Sequence, residues 1–301
     1  MDLRLLENIV SIADERSITR AAEKRYLTQS ALNQQLQKLE EELGAPLFIR
    51  ARGNWQPTPA GEAYLSAARQ MLALKKDAYA RIADYAEKSR RSLTVGLIPE
   101  RGIDMFTAVY PAFHAAFPQM QVEPVECRVT VMQRMISAGQ LDLGLATLTR
   151  AQRDGNVYHE MAEEEILLAV PADHPLAAGG RADYRDAPET ALERFAREPF
   201  VRIYQHSTLF ALTEALFAEA GFAPRVLFST ASNLTKYRIV SLGLGCALLP
   251  AVYAAKDGGV VYFRLPSHPA WQVTVCSRRG GYLGRAERCY LDLCRKYWQT
   301  K

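Results

Sequence analysis

The sequence predicts three parts in series: a helical head carrying a small β-hairpin, one long helix, and a C-terminal α/β body. Three observations carry this. Residues 1–58 hold three short stretches of helical periodicity followed by a hairpin marked by glycine and proline. Residues 59–88 contain neither proline nor glycine after Gly61. From residue 92 onward, short β-branched runs alternate with amphipathic stretches, the pattern of an α/β domain. With 301 residues, 49% apolar and 23% charged, the chain has material for two or three cores. A net charge of +4 makes any site for a polyanion a matter of local charge placement.

In the head, Leu3, Leu6, Ile9, Val10 and Ala13 give a first amphipathic helix. Ser17 has the chemistry of an N-cap for the short helix "ITRAAEKRYL", whose Ala21 and Ala22 leave room for a crossing helix. Thr28 caps the third, "TQSALNQQLQKLEEEL", and Gly44 ends it. Leu32, Leu36, Leu39 and Leu43 mark its core face. The other face carries Gln29, Asn33, Gln34, Gln35, Gln37 and Lys38; amides of this kind can bond both N6 and N7 of adenine. Two short helices joined by a tight turn make a helix-turn-helix. "LFIR", "RGNW" and "WQPTP" then read as strand, turn and return strand, a β-wing.

Charge placement separates a solvated helix from a reading one. Residues 1–60 hold eight basic and eight acidic residues, but no acid lies between Lys24 and Leu39 or between Leu43 and Gly61. Lys24, Arg25, Lys38, Arg50 and Arg52 therefore face phosphates without competing acids on this reading.

The stretch "SITRAAEKRYLTQSALNQQLQKLEEELGAPLFIRARGNWQPTPAGEAYL" resembles the winged helix-turn-helix of the LysR-type transcriptional regulators. The shared marks are the paired alanines of the second helix, "QSAL", "LEEELGAPLF" and "TPAGE". The resemblance implies that Thr28, Gln29, Ser30, Asn33, Gln34 and Lys38 meet double-stranded DNA, and that Arg50 and Arg52 approach its backbone or minor groove. Relatives commonly carry Ser-Arg where this chain has Asn33-Gln34, so a cation is missing from the base-reading face.

The long helix has apolar positions at Tyr64/Leu65, Ala68, Met71/Leu72, Ala78/Tyr79, Ile82 and Tyr85, interrupted by Lys75. A helix between two domains has little of its own chain to cover it, which predicts pairing between subunits. The resemblance implies the same: a homodimer or homotetramer, with recognition helices roughly 34 Å apart on a partly palindromic site, and a contact with RNA polymerase.

In the body, strands are expected at "SLTVGLIP", "QVEPVEC", "LDLGLAT", "EILLAVP", "PFVRI", "RVLFS", "GCALLP", "GVVYFRL" and "WQVTVCS", in a parallel-rich arrangement. The resemblance implies a periplasmic-binding-protein-like effector domain over residues 91–301, after a head at 1–58 and a linker at 59–90. Lobe one then takes 91–163 with 268–301, and lobe two 164–267. Ligands of open α/β sheets sit at the carboxyl ends of strands. That rule selects Pro99, Glu100, Arg101, Gly102, Cys127, Arg128, Thr147, Gln205, His206, Ser207 and Thr230 for a small-molecule effector. Arg101, Arg128 and His206 suit an anion, Glu100 an ammonium group, so the expected effector is a carboxylate or an amino-acid-like metabolite. Relatives often have a hydroxyl residue where Glu100 stands.

Enzyme signatures are absent: there is no G-x-S-x-G, H-E-x-x-H or P-loop, and Gly243-Leu244-Gly245 lacks a third glycine. The five cysteines form no CxxC pair, and none lies within residues 128–245, where a redox switch of the peroxide-sensing type would need a pair. Reduced thiols, no cofactor and no metal follow. The charged N-terminus has no signal-peptide core and no apolar run reaches the roughly eighteen residues of a membrane span, which predicts a cytoplasmic protein. The expected function is effector-controlled, sequence-specific transcriptional regulation. The alternative is a solute-binding or catalytic α/β protein with an N-terminal helical assembly domain.

Overall fold

The computed structural model describes residues 2–51, 54–86, 92–256 and 258–299. The head contains α1 (Leu3–Glu15), α2 (Ile18–Lys24) and α3 (Gln29–Leu43), followed by β1 (Phe48–Ile49) and β2 (Gln56–Pro57). Each helix starts on a side-chain cap: Asp2 accepts from the Arg4 amide, Ser17 from that of Arg20, and Thr28 from that of Ala31. Gly44 ends α3 in the left-handed region at φ 67°. Ile9, Ile12, Leu32 and Leu36 are fully buried at the centre of the head, with Ala21 letting the helices close on one another, each large aliphatic contributing about 2 kcal/mol. The wing is a two-residue-per-strand hairpin, shorter than the sequence implied, because Pro57 and Pro59 stop the return strand.

The linker α4 (Pro59–Tyr85) starts on the Thr58 hydroxyl, which accepts from the Gly61 amide at 3.0 Å. A Cβ on Gly61 would stand 2.0 Å from the Leu47 carbonyl oxygen, so glycine is what lets the helix abut the wing. Contrary to the expectation that α4 lacks cover from its own chain, one side of it lies against the effector domain. Lys76 pairs with Asp142 at 2.7 Å and Asp77 with Arg278 at 2.5 Å, while Asp84 accepts from the Tyr282 hydroxyl at 2.9 Å. Lys75, which breaks the apolar stripe, reaches back to Glu7 at 2.9 Å. Leu74, Tyr79, Ile82 and Tyr85 stay exposed on the remaining side.

The body runs β3 (Ser92–Leu97), α5 (Arg101–Ala116), β4 (Gln121–Glu126), α6 (Val129–Ser137), β5 (Leu143–Leu148) and β6 (Val157–Pro171). It continues with β7 (Pro199–Ile203), α7 (Thr208–Glu219), β8 (Arg225–Thr230), α8 (Asn233–Ser241) and β9 (Ala247–Pro250). It closes with β10 (Val260–Phe263), β11 (Ala270–Ser277) and α9 (Arg285–Gln299). Two cores lie apart: one around Phe113, Leu143 and Tyr290, the other around Phe200, Leu248 and Phe263.

β6 runs through both lobes. Its first part, Val157 to Glu165, pairs with β11; from Ile166 on it pairs with β9 and β10. The change of partner follows the change of composition from "EEE" to "ILLAVP", and the second part is buried almost throughout. The sheet is less parallel than expected. β3 is parallel to β4 and β5, and β7 to β8, but β11 is antiparallel to β5 and β6, and β9 and β10 are antiparallel to β6. The cause is the double crossing: β6 leaves lobe one, the segment before β11 returns, and neighbouring strands of such a pair run oppositely.

Candidate functional site

Two surfaces qualify. The first is the outer side of α3. Leu32, Leu36 and Leu39 point into the head, while Thr28, Gln29, Ser30, Gln34, Gln37 and Lys38 are exposed and Asn33 is half-buried. The Gln29 side-chain oxygen accepts from the Thr19 hydroxyl at 3.1 Å. Gln35 departs from the expected amide face: its side-chain oxygen accepts from Asn8 Nδ2 at 2.8 Å, so it is a packing residue. Asn8 Oδ1 accepts in turn from Arg25 Nε at 2.9 Å, and Arg25 pairs with Glu7 at 2.5 Å. Burial pushes the Glu7 carboxyl up, but hydrogen bonds and charge from Lys75 and Arg25 outweigh it and leave it below its ordinary value.

These contacts correct the charge reading. Arg25 is held inside the head, and Lys24 pairs with Glu15 at 2.6 Å. Glu40 reaches the wing despite its distance in sequence: Oε1 accepts from the Leu47 and Phe48 amides at 2.7 and 3.4 Å, and Oε2 pairs with Arg50 at 2.6 Å. Arg50 also lies over Trp55, 5.5 Å from the ring centre. Arg52 falls outside the described residues. Tyr26, at the turn before α3, is 97% exposed with φ 55°; no periodicity in the sequence marks it.

The second surface is a cleft of about 130 Å³ between the lobes. Of the residues expected there, Pro99, Glu100, Arg101, Arg128, Thr147, His206 and Ser207 line it. Gln205 lies on an adjoining cavity of about 290 Å³ that shares Arg128, Tyr204 and His206 with the cleft. Gly102 and Thr230 are not in the lining. Gly102 serves packing, since a Cβ there would stand 3.2 Å from the Ile98 side chain, and the Thr230 hydroxyl accepts from the Ser232 amide at 3.2 Å. Cys127 packs with the core beside β3 instead.

Arg101 is not free to meet an anion. It is buried, pairs with Glu164, and stacks on Trp298 with its guanidinium carbon 4.2 Å from the ring centre. Trp271 Nε1 donates to the other Glu164 oxygen at 3.1 Å. Glu100 occupies a rarer position. It sits at φ 59°, ψ −82° in a γ-turn closed by the Arg101 amide donating to the Pro99 carbonyl at 2.8 Å. A non-glycine residue in such a turn is strained by about 1–3 kcal/mol. Its carboxylate crosses to lobe two, accepting from Ser232 Oγ at 2.6 Å and the Asn233 amide at 3.0 Å, at the first turn of α8. Tyr253 lines the cleft as well.

Further bonds join the lobes: Thr208 Oγ1 donates to the Thr147 carbonyl at 2.8 Å, and Gln152 Nε2 to the Thr208 carbonyl at 2.9 Å. On α8 itself, Lys236 is fully buried and donates to the Leu248 carbonyl. Burial pulls its pKa down to about 7, against a smaller upward pull from Glu100. Sequence reasoning missed Tyr253, Asn233 and Trp271. Tyr253 follows β9 and falls under the same strand-end rule, whereas Trp271 needed the strand order.

Burial raises the thiol pKa of Cys127 and Cys289, and pushes Cys246, Cys276 and Cys294 up to about 12, the opposite of a reactive thiolate. Among the described residues, no group of three or more His, Cys, Asp or Glu is placed to hold a metal ion, and no helix is long and apolar enough to cross a membrane.

The family models agree with this division. The bacterial regulatory helix-turn-helix model of the lysR family matches residues 3–62, and the LysR substrate binding domain model matches residues 86–299. The transcriptional activator HcaR of the hca operon in Escherichia coli is 29% identical, over 88% of this chain and 86% of its own. The HTH-type transcriptional regulator YcgK of Bacillus subtilis is 25% identical, over 98% and 94%. Among solved structures, a full-length OxyR variant from Pseudomonas aeruginosa superposes with a TM-score of 0.75 at 24% identity, covering 98% of this chain and 95% of that one. Full-length BenM does so at 0.58 and 20%, covering 100% and 97%. The shared head and the two-lobed body, matched along nearly the whole length, establish that the chain belongs to the LysR family of transcriptional regulators.

Proposed function

We propose that this LysR-family regulator reads DNA with the outer side of α3 and is switched by a small metabolite held between the lobes. The observation that carries the second half is the cleft itself, where Glu100 and Thr147 of lobe one meet Ser232 and Thr208 of lobe two. A ligand entering there alters the bonds between lobes, and only a ligand that favours one arrangement over the other shifts the DNA-bound state.

On the DNA side, Gln29, Ser30, Asn33 and Gln34 read base edges in this proposal, with Thr28, Lys38 and the wing arginines Arg50 and Arg52 on phosphates. Amides in place of a cation favour A·T pairs beneath the helix. The exposed side of α4, with Leu74, Tyr79, Ile82 and Tyr85, joins copies into a homodimer or homotetramer, acting in the cytoplasm with RNA polymerase.

A gel shift on the gene's own upstream DNA across a salt series tests the reading. Affinity should fall steeply with salt, Lys38→Ala should reduce the slope by about one, and the Asn33→Ala, Gln34→Ala pair should flatten base preference. Salt-independent or absent binding refutes it. An effector from a metabolite screen should stabilise the protein by about 2.7 kcal/mol at a hundredfold excess over its dissociation constant.

A further inference from the structure

We infer that Glu100 acts as an internal anion that sets the polarity of the effector: the inner end of the ligand is a hydrogen-bond donor, an amine or amide, and not a carboxylate. This rests on the cleft being the effector site.

A ligand carboxylate would gain most at the lobe-two end of the cleft. There the amide at the first turn of α8 and the Ser232 hydroxyl converge, and a helix N-terminus favours negative charge. The Glu100 carboxylate already fills that place, with both groups bonded to it. The buried cation on the lobe-one side is also taken, since Arg101 pairs with Glu164. A carboxylate arriving at the inner end would meet a like charge and find its donors engaged.

A donor meets the opposite situation. A carboxylate has about four acceptor sites, and Ser232 and Asn233 use two, so Glu100 keeps room for a further donor. An amine or amide supplies that donor. The apolar lining includes Ile98, Ile203 and Trp271, which accept an aromatic or aliphatic body. Positive charge appears further out, where Arg128 and His206 border both the cleft and its outer cavity. An anionic group on the ligand therefore belongs at that rim, with the donor inward.

The strain at Glu100 supports a fixed role. A γ-turn with positive φ persists only where its surroundings hold it, and here the bonds to Ser232 and Asn233 do so. A serine at this position lacks the reach to span the lobes and would leave the α8 terminus open to a ligand anion.

The test uses the full-length protein, three matched probe pairs (benzamide and benzoate, nicotinamide and nicotinate, phenylacetamide and phenylacetate), and ligand-observed NMR with thermal shift at up to tens of millimolar. In the wild type the amide of at least one pair should bind at least tenfold tighter than its acid. Glu100→Ser should remove or reverse that preference. Ile203→Trp, which fills the cleft, should abolish binding of both. Carboxylates binding the wild type as well as amides, with both lost in Ile203→Trp, overturns the Glu100 inference and leaves the cleft reading standing. Binding that survives Ile203→Trp, or no binding by any pair, overturns the cleft reading itself. A preference unchanged in Glu100→Ser assigns the selection to other residues and also overturns the inference.

Discussion

The Arg278 guanidinium, just beyond β11, donates to the Asp77 carboxylate on α4 at 2.5 Å, and both side chains are four-fifths shielded from solvent. Lobe one thus grips the helix that carries the DNA-binding head. The grip is polar along its length, with Lys76 on Asp142 and Asp84 on Tyr282. A Cβ on Gly139 would come within 2.5 Å of the Ala73 Cβ, so the backbones approach closely between those pairs.

Reversing one charge should open this seam. Asp77→Arg faces Arg278 with a like charge and removes a hydrogen bond between charged groups, worth about 1.5–3 kcal/mol. Amide hydrogen exchange along residues 70–85 should accelerate by about 10- to 100-fold, and the exchange pair Asp77→Arg, Arg278→Asp should recover most of the protection. Equal exchange in the single variant and the wild type would show that the ion pair does not hold the helix.

Glu40 gives a prediction of opposite sign to simple charge counting. It is an acid beside the proposed DNA surface, so removing it improves the long-range attraction for phosphates. Yet it also holds the Leu47 and Phe48 amides and Arg50. Glu40→Ala leaves those groups without their acceptor, at about 1–3 kcal/mol for a shielded donor, and frees the wing. DNA affinity should fall, and the head should melt at lower temperature. Tighter binding by Glu40→Ala in a gel shift would assign the wing's position to something other than this carboxylate.

These two cases also show what could be read from residues alone. The caps at Ser17 and Thr28, the leucine face of α3 and Gly44 at its end follow from local rules, because each is fixed by neighbours a few residues away. The Gly61 contact with Leu47, the inward turn of Gln35 and the pairing of Arg25 with Glu7 depend on which helices cross, and spacing along one helix carries no such information. At the cleft, the strand-end rule reached Glu100, Thr147 and His206. It could not tell that Arg101 turns inward to Glu164, which lies 63 residues away. Nor could it give the strand directions, since these follow from β6 and β11 crossing between lobes.

His268 predicts a pH dependence at that crossing. It stands between Leu265 and β11 with φ 42°, its Nδ1 2.9 Å from Glu165 and its Nε2 3.0 Å from Glu189. Glu165 is also 3.4 Å from Arg264, the remaining charged neighbour. With a carboxylate at each ring nitrogen, the doubly protonated ring donates to both, and its hydrogen bonds to Glu165 and then Glu189 hold its pKa above the ordinary value. A raised folded pKa means that the contact contributes fully below the ordinary histidine range and is lost as pH rises through the raised value. The ring is exposed, so the effect is modest and weakens with salt. From pH 6 to pH 9, protection of the Ile166 amide, which donates to the Pro269 carbonyl at 2.7 Å, should decline after correction for intrinsic exchange. His268→Gln should flatten this profile while leaving the other crossing strand bonds in place. The same decline in His268→Gln as in the wild type would place the titrating group elsewhere.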